Sequence, residues 1–243
     1  MSRKFHIHKK DYYGPQVLYK SEWLDLGGNQ VYCLVGCNGI GKSTILRQMV
    51  HDNEGSLDKT AWDLLENYVG WSWRGLSLFG EPKKQEDFDE FYFSANKDTR
   101  IGKNFDDVDI QNMWGNFQST GESNTSNFTP LFKALADSIK QIPGKTYYIL
   151  LDDFDVGTSI DVLQEFVKIV KAIEKLCIKN NIKYYIVITA NAYELVKNFR
   201  CIDCITMKEV SFKDYEDYSK YVKETRKYKD SRNLKGERGK GGK

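Results

Sequence analysis

The sequence predicts an α/β fold with a mostly parallel sheet, and three observations predict it. From Pro130 onward, helical and strand-like segments alternate. An apolar run, Val31 to Val35, leads through a glycine-rich loop into the helical stretch TILRQMV. The chain has 243 residues, 40% of them apolar and 29% charged, enough for one large domain or one with a small insert.

The elements follow in order. At the start, KFHIH alternates, Gly14-Pro15 punctuates, and VLYKSEWLDL runs into the turn GGN, so short N-terminal antiparallel strands are expected. Residues 52–90 are polar and irregular, with a helix candidate at TAWDLLENYV, and Phe91 to Ser94 reads as a short strand. PLFKALADSIKQI has helical spacing. Tyr147 to Leu151 is a compact apolar run of the kind buried on both faces of a parallel sheet. Ile160 to Lys179 is a long amphipathic helix, Tyr184 to Ile188 another strand, and NAYELVKNF a short helix. FKDYEDYSKYVKETRKY is a charged, tyrosine-striped helix that runs into KGERGKGGK.

Net charge is only +2, so the whole chain is not an evident nucleic-acid binder. The charge is uneven, however. Residues 223–243 hold nine Lys/Arg against three Asp/Glu and are expected to form a basic, disordered tail. Residues 1–222 are expected to be the folded domain. Five cysteines make no disulfide framework, and the lone CxxC at Cys201 and Cys204 reads as buried thiols rather than a zinc or redox pair. No apolar run approaches about 20 residues, and MSRKFHIHKK holds no signal-peptide core. A cytoplasmic protein without a membrane domain is expected.

The string GCNGIGKST carries the strongest chemical signal. It matches the P-loop pattern and stands between a strand and a helix, where the pattern acquires its meaning. Gly36, Gly39 and Gly41, with Asn38 among them, permit a tight backbone whose N–H groups can turn toward phosphate oxygens. The first turn of the helix adds N–H groups with no helical partner. Lys42 would reach the β- and γ-phosphates of ATP, Ser43 would ligate Mg²⁺, and Thr44 is a further nucleotide-binding candidate. A P-loop NTPase core also needs an acidic residue at the end of a buried strand. YYILLDDFD offers Asp152 for the Mg²⁺ shell and Asp153 to orient or deprotonate the attacking water.

Together these residues resemble the ABC-type ATPase family, in its SMC-like and RecF-like branch. GCNGIGKST resembles the family's Walker A loop, and ILLDD its Walker B strand and catalytic acid. FQSTGESN resembles the signature motif, with Ser119, Gly121 and Glu122 in the recognisable positions. VGTSID resembles the D-loop, ending at Asp161. The order agrees across residues 31–190. The resemblance implies an ABC-type head with a helical signature subregion at about 52–140. Two positions depart from the family. Asp153 stands where glutamate is usual, and Ala190 where a switch histidine is common, with Asn191 beside it. The histidines are His6, His8 and His51, far from this place in sequence. No clear Q-loop glutamine is present; Gln85, Gln111, Asn96 and Lys97 are the candidates.

In this family the signature of one subunit closes over the ATP held by another. One P-loop and one signature per chain therefore imply a homodimer on ATP binding, or pairing with a related chain. The stretch between Thr44 and Ser119 lacks heptads, so the chain would be a bare head without a coiled coil. Family analogy offers DNA or a nuclease as what the motion acts on. In the tail, Lys223, Arg226, Lys227, Lys229 and Arg232 are candidates to face phosphates, and Tyr218, Tyr221 and Tyr228 to stack on bases. The alternative is an ATP-gated interaction module with little turnover that holds an effector protein. A transporter subunit or a small kinase is a third class, opposed by the signature-like tract.

The composite site makes a prediction about Ser119. The Ser119→Arg protein is expected to bind ATP through its intact Lys42, yet neither dimerise on ATP nor hydrolyse it. Mixing it with the Lys42→Ala protein unites one intact loop with one intact signature, so partial recovery of ATPase activity is expected. Full activity in Ser119→Arg alone would remove the composite site.

Overall fold

Side-chain alternation on three central strands sets the architecture. In the computed structural model, which describes residues 2–7, 18–51, 90–96, 135–136, 139–140, 144 and 146–238, these strands are β3 (Gln30–Val35), β5 (Thr146–Asp152) and β6 (Lys183–Thr189). One face presents Val31, Cys33, Val35, Tyr147, Ile149, Leu151, Tyr184, Ile186 and Ile188. The opposite face presents Tyr32, Leu34, Tyr148, Leu150, Tyr185 and Val187. Both sets are buried, so the strands read as continuous apolar runs instead of alternating ones.

The six-stranded sheet has the order β4-β5-β6-β3-β7-β8, with β4 Glu90–Asn96, β7 Arg200–Asp203 and β8 Lys208–Val210. β4, β5, β6, β3 and β7 pair in parallel, and β8 returns antiparallel to β7. The fold is thus α/β with a mostly parallel sheet, as expected. β1 (Ser2–His6) and β2 (Trp23–Gly27) form a separate antiparallel ribbon. It buries Phe5, Leu24 and Leu26 on the second face of the sheet, beside α1 (Lys42–His51).

The first face is covered by α2 (Ile160–Lys179), which buries Val162, Leu163, Phe166, Val167, Val170, Ile173 and Cys177. This is a helical stripe on one side of the cylinder. Leu135 and Ile139 join the same core. The short α3 (Tyr193–Val196) follows β6, and α4 (Tyr215–Arg238) ends the described chain.

Two differences from the sequence reading stand out. β7 and β8 are too short, at four and three residues, to show a period in CIDCITMKEV. Their turn is held by Asp203, whose carboxylate accepts from the Ile205 and Thr206 N–H groups and the Thr206 hydroxyl. The second concerns residues 223–238, expected as disordered tail, which continue as helix. Buried Thr225 and partly buried Tyr228 and Lys229 give this stretch contacts that composition does not reveal. The helix candidate at 60–69, the signature tract with Ser119, Gly121 and Glu122, and Gln85, Lys97 and Gln111 lie outside the described residues. No described helix is long and apolar enough to cross a membrane.

Phe166 is fully buried and stacks on Phe154 at 5.0 Å, next to the turn that follows β5. Phe166→Ala is expected to cost about 3–5 kcal/mol of unfolding free energy, read from urea denaturation.

Candidate functional site

The parallel register lines up three strand ends. Leu34 pairs with Thr189, and Leu151 with Ile188, so Val35, Asp152 and Thr189 reach the same edge of the sheet. Asn96, the last residue of β4, pairs with Asp152 at that edge. Ligands of open α/β sheets bind outside the carboxyl ends of the strands.

β3 ends in the glycine loop. Gly36, Gly39 and Gly41 all have positive φ. The requirement is plainest at Gly41, where φ is 100° and a Cβ would collide with the Tyr19 hydroxyl. That hydroxyl donates to Gly41 O at 2.9 Å, pinning the loop where α1 begins. Lys42 turns back into the loop. Its Nζ donates to Gly36 O at 3.0 Å and Cys37 O at 3.4 Å, and the residue is only 6% exposed. Burial pulls the Lys42 ammonium below its ordinary pKa, opposed by the neighbouring Cys204, Asp155, Cys37 and Asp153. A buried ammonium held by neutral carbonyls is a site that an anion would improve.

Ser43, at the start of α1, donates its hydroxyl to Asp152 Oδ1 at 2.9 Å across 109 residues of sequence. Thr189 donates to the same oxygen at 2.8 Å and accepts from Asp153 N at 2.9 Å. Asp153 has φ 57°, so the chain turns sharply where the apolar strand ends. The structure therefore brings together Gly36, Asn38, Gly39, Gly41, Lys42, Ser43, Asp152 and Asp153. Thr44 lies in the first turn of α1. Asp161 lies in the first turn of α2 and is exposed. The Ser159 hydroxyl, helped by the N–H groups of Asp161 and Val162, holds its carboxyl below the usual range.

Three contributors were not legible as site residues. Asp155 is buried, and its carboxylate accepts from Asn191 N, Ala192 N at 2.6 Å and Asn191 Nδ2 at 3.2 Å. It joins the loop after β5 to the loop after β6; the only signal was a third aspartate in DDFD. The amide of Asn191, which stands beside Ala190, is thus engaged with Asp155. Ala190 is fully buried, with its N–H on Leu34 O at 3.0 Å.

Tyr221 and Thr225 come from α4. The Tyr221 hydroxyl donates to Asp203 Oδ1 at 2.7 Å and lies 3.2 Å from Val35 O. Burial, reinforced by Asp203, pushes that phenol far above its ordinary pKa, so it stays a neutral donor. Thr225 accepts from Cys37 N at 3.0 Å. Tyr218 is buried and donates to Asn191 O at 3.0 Å. Tyr218 and Tyr221 are therefore not the base-stacking faces that the sequence suggested. Tyr228 is flanked by Lys20 and Arg232, 5.1 and 5.3 Å from its ring centre.

Cys201 and Cys204 are buried free thiols, Cys201 pushed up to about 12 by burial and Cys204 higher still. No protein-family model matches the chain, and no curated protein matches it.

Asp155 is the connector whose loss is most readable. Asp155→Ala leaves the donors of Asn191 and Ala192 without their acceptor. A loss of about 1–3 kcal/mol in unfolding free energy is expected, measured by urea denaturation.

Proposed function

We propose that this chain is a P-loop NTPase of the ABC-type, SMC-like kind, which binds ATP with Mg²⁺ at the glycine loop and hydrolyses it. The observation that carries the reading is the Ser43–Asp152 hydrogen bond of 2.9 Å beside the buried Lys42. A hydroxyl at the start of a helix and a carboxylate at the end of a buried strand are the two protein oxygens such a site needs, and chain distance alone would not unite them.

The residues present fit Mg²⁺. This cation keeps several waters and takes one or two protein oxygens plus substrate phosphates. Ser43 Oγ and Asp152 would hold it. When bound, Mg²⁺ would neutralise phosphate charge and polarise the phosphoryl group. Lys42 would hold the β- and γ-phosphates, exchanging Gly36 O and Cys37 O for charged oxygens. The loop N–H groups and the first turn of α1 would receive the remaining phosphate oxygens. Asp153 would orient the attacking water. In this reading ATP joins two copies of the chain, each covering the other's nucleotide, and the cycle acts on DNA or a nuclease partner. Exposed Lys223, Arg226 and Lys227 on α4 support an anionic partner.

A second reading, an ATP-gated module with little turnover that holds an effector, is favoured by one feature. Beside Asp153 the loop after β6 offers buried Ala190 and an Asn191 amide already engaged by Asp155, with no imidazole. Tight ATP-dependent dimerisation with turnover near background would select this reading; fast steady-state hydrolysis would reject it.

The test is a titration of ATP and Mg²⁺ against single substitutions. Lys42→Ala is expected to abolish measurable ATP binding, because it removes the one ammonium folded inside the glycine loop. Ser43→Ala and Asp152→Asn are expected to raise the Mg²⁺ concentration for half-maximal turnover at least about tenfold. ATP affinity unmoved by Lys42→Ala would overturn the proposal. Turnover unaffected by duplex, single-stranded or end-bearing DNA at low salt would remove the DNA clause.

A further inference from the structure

One face of α4 crosses the strand ends and finishes on the glycine loop. Tyr218 donates to Asn191 O at 3.0 Å, Tyr221 lies 3.2 Å from Val35 O, Thr225 accepts from Cys37 N at 3.0 Å, and Lys229 donates to Asn38 O at 3.0 Å. The spacings of three, four and four residues place all four side chains on a single helical stripe. Each of the four touches backbone of a loop or strand end at the site, in chain order from the β6 loop to the glycine loop.

Lys229 differs from the other three. It carries a full charge, and its partner is a neutral carbonyl. It takes part in no ion pair among the described residues. Its ammonium also fills the space left by a missing side chain, since a Cβ on Gly39 would stand 2.5 Å from Nζ. The loop thus has one lysine folded inside it, Lys42, and a second resting on it from outside its own segment. A lysine that exchanges a carbonyl for a phosphate oxygen gains a charge-assisted hydrogen bond, and its flexible four-carbon stem permits the exchange.

We propose that Lys229 is a second phosphate-binding lysine of the glycine loop, delivered by α4, and that Thr225 is the positioning residue that keeps loop and helix in register. This rests on the reading of the loop as an ATP site. In consequence the C-terminal helix is part of the nucleotide site, and nucleotide binding is felt along its whole stripe.

The experiment uses the full chain and titrates fluorescent ATP and ADP analogues at low and high salt. Lys42→Ala serves as the control for the nucleotide site itself. Lys229→Ala is expected to weaken ATP binding about fivefold at low salt, the scale of a partly exposed charge pair. The loss is expected to be smaller for ADP, which carries less charge, and to shrink at high salt by screening. Lys229→Arg is expected to retain ATP affinity, and the ligand-free melting temperature of Lys229→Ala to match that of the parent. Thr225→Val is expected to weaken ATP and ADP alike, because it loosens the loop without removing charge. Unchanged ATP affinity in Lys229→Ala, alongside loss of binding in Lys42→Ala, would overturn the role of Lys229 and leave the ATP site standing. Equal losses for ATP and ADP in Lys229→Ala with a lowered melting temperature would show a purely structural contact and overturn it too. Unchanged binding in Lys42→Ala would overturn the nucleotide site and this inference together.

Discussion

A single carboxylate oxygen organises the site. Asp152 Oδ1 accepts from Ser43 on α1 and from Thr189 on β6, and the aspartate is 6% exposed. A carboxylate so withdrawn from water must be hydrogen-bonded, or its burial would cost several kcal/mol. The two hydroxyls meet that need, and in meeting it they fix three elements relative to one another. α1 starts where Ser43 reaches Asp152, and β6 ends where Thr189 does. Thr189 then accepts the Asp153 N–H, so the turn after β5 is set by the same pair. The glycine loop lies between these anchors, with Lys42 folded inside it.

A second layer of polar contacts holds the loops against each other. Asp155 gathers the N–H groups of Asn191 and Ala192, and Tyr218 takes the Asn191 carbonyl. The loop after β6 is therefore clamped from two sides, by the β5 turn and by α4. This has a chemical consequence. The Asn191 N–H, Nδ2 and carbonyl and the Ala192 N–H are committed to these contacts, and none of the loop's residues is an imidazole. Under the proposed ATPase reading, such a loop favours slow hydrolysis, or hydrolysis that waits for a partner.

The end of the chain changes meaning once it is folded. Lysines and tyrosines spaced along a polar segment suggest a solvated tail or a nucleic-acid surface. In the fold the same residues divide by helical face. Tyr218, Tyr221, Thr225 and Lys229 turn inward to the strand ends and the glycine loop. Lys223, Arg226 and Lys227 stay exposed. One helix thus joins a loop suited to anions with a basic outer surface, and it is the element through which the two could communicate.

What could be read in the amino-acid order was whatever depends on local spacing. The apolar runs at Val31 to Val35, Tyr147 to Leu151 and Tyr184 to Ile188 declared buried parallel strands, because strands covered on both faces need unbroken apolar sequence. The string GCNGIGKST declared a tight loop before a helix, because glycine adopts the positive φ found at Gly36, Gly39 and Gly41 with no steric cost. Asp152 stood out because a charge that ends an apolar run must serve some purpose. Contacts between distant segments had no local signature. Nothing in DDFD announces that Asp155 caps the next loop. Nothing near Lys229 indicates that it meets Asn38, 191 residues away. Those pairings exist only because the parallel sheet brings its strand ends to one edge and α4 lies across them, a geometry set by long-range packing rather than by neighbours in the chain.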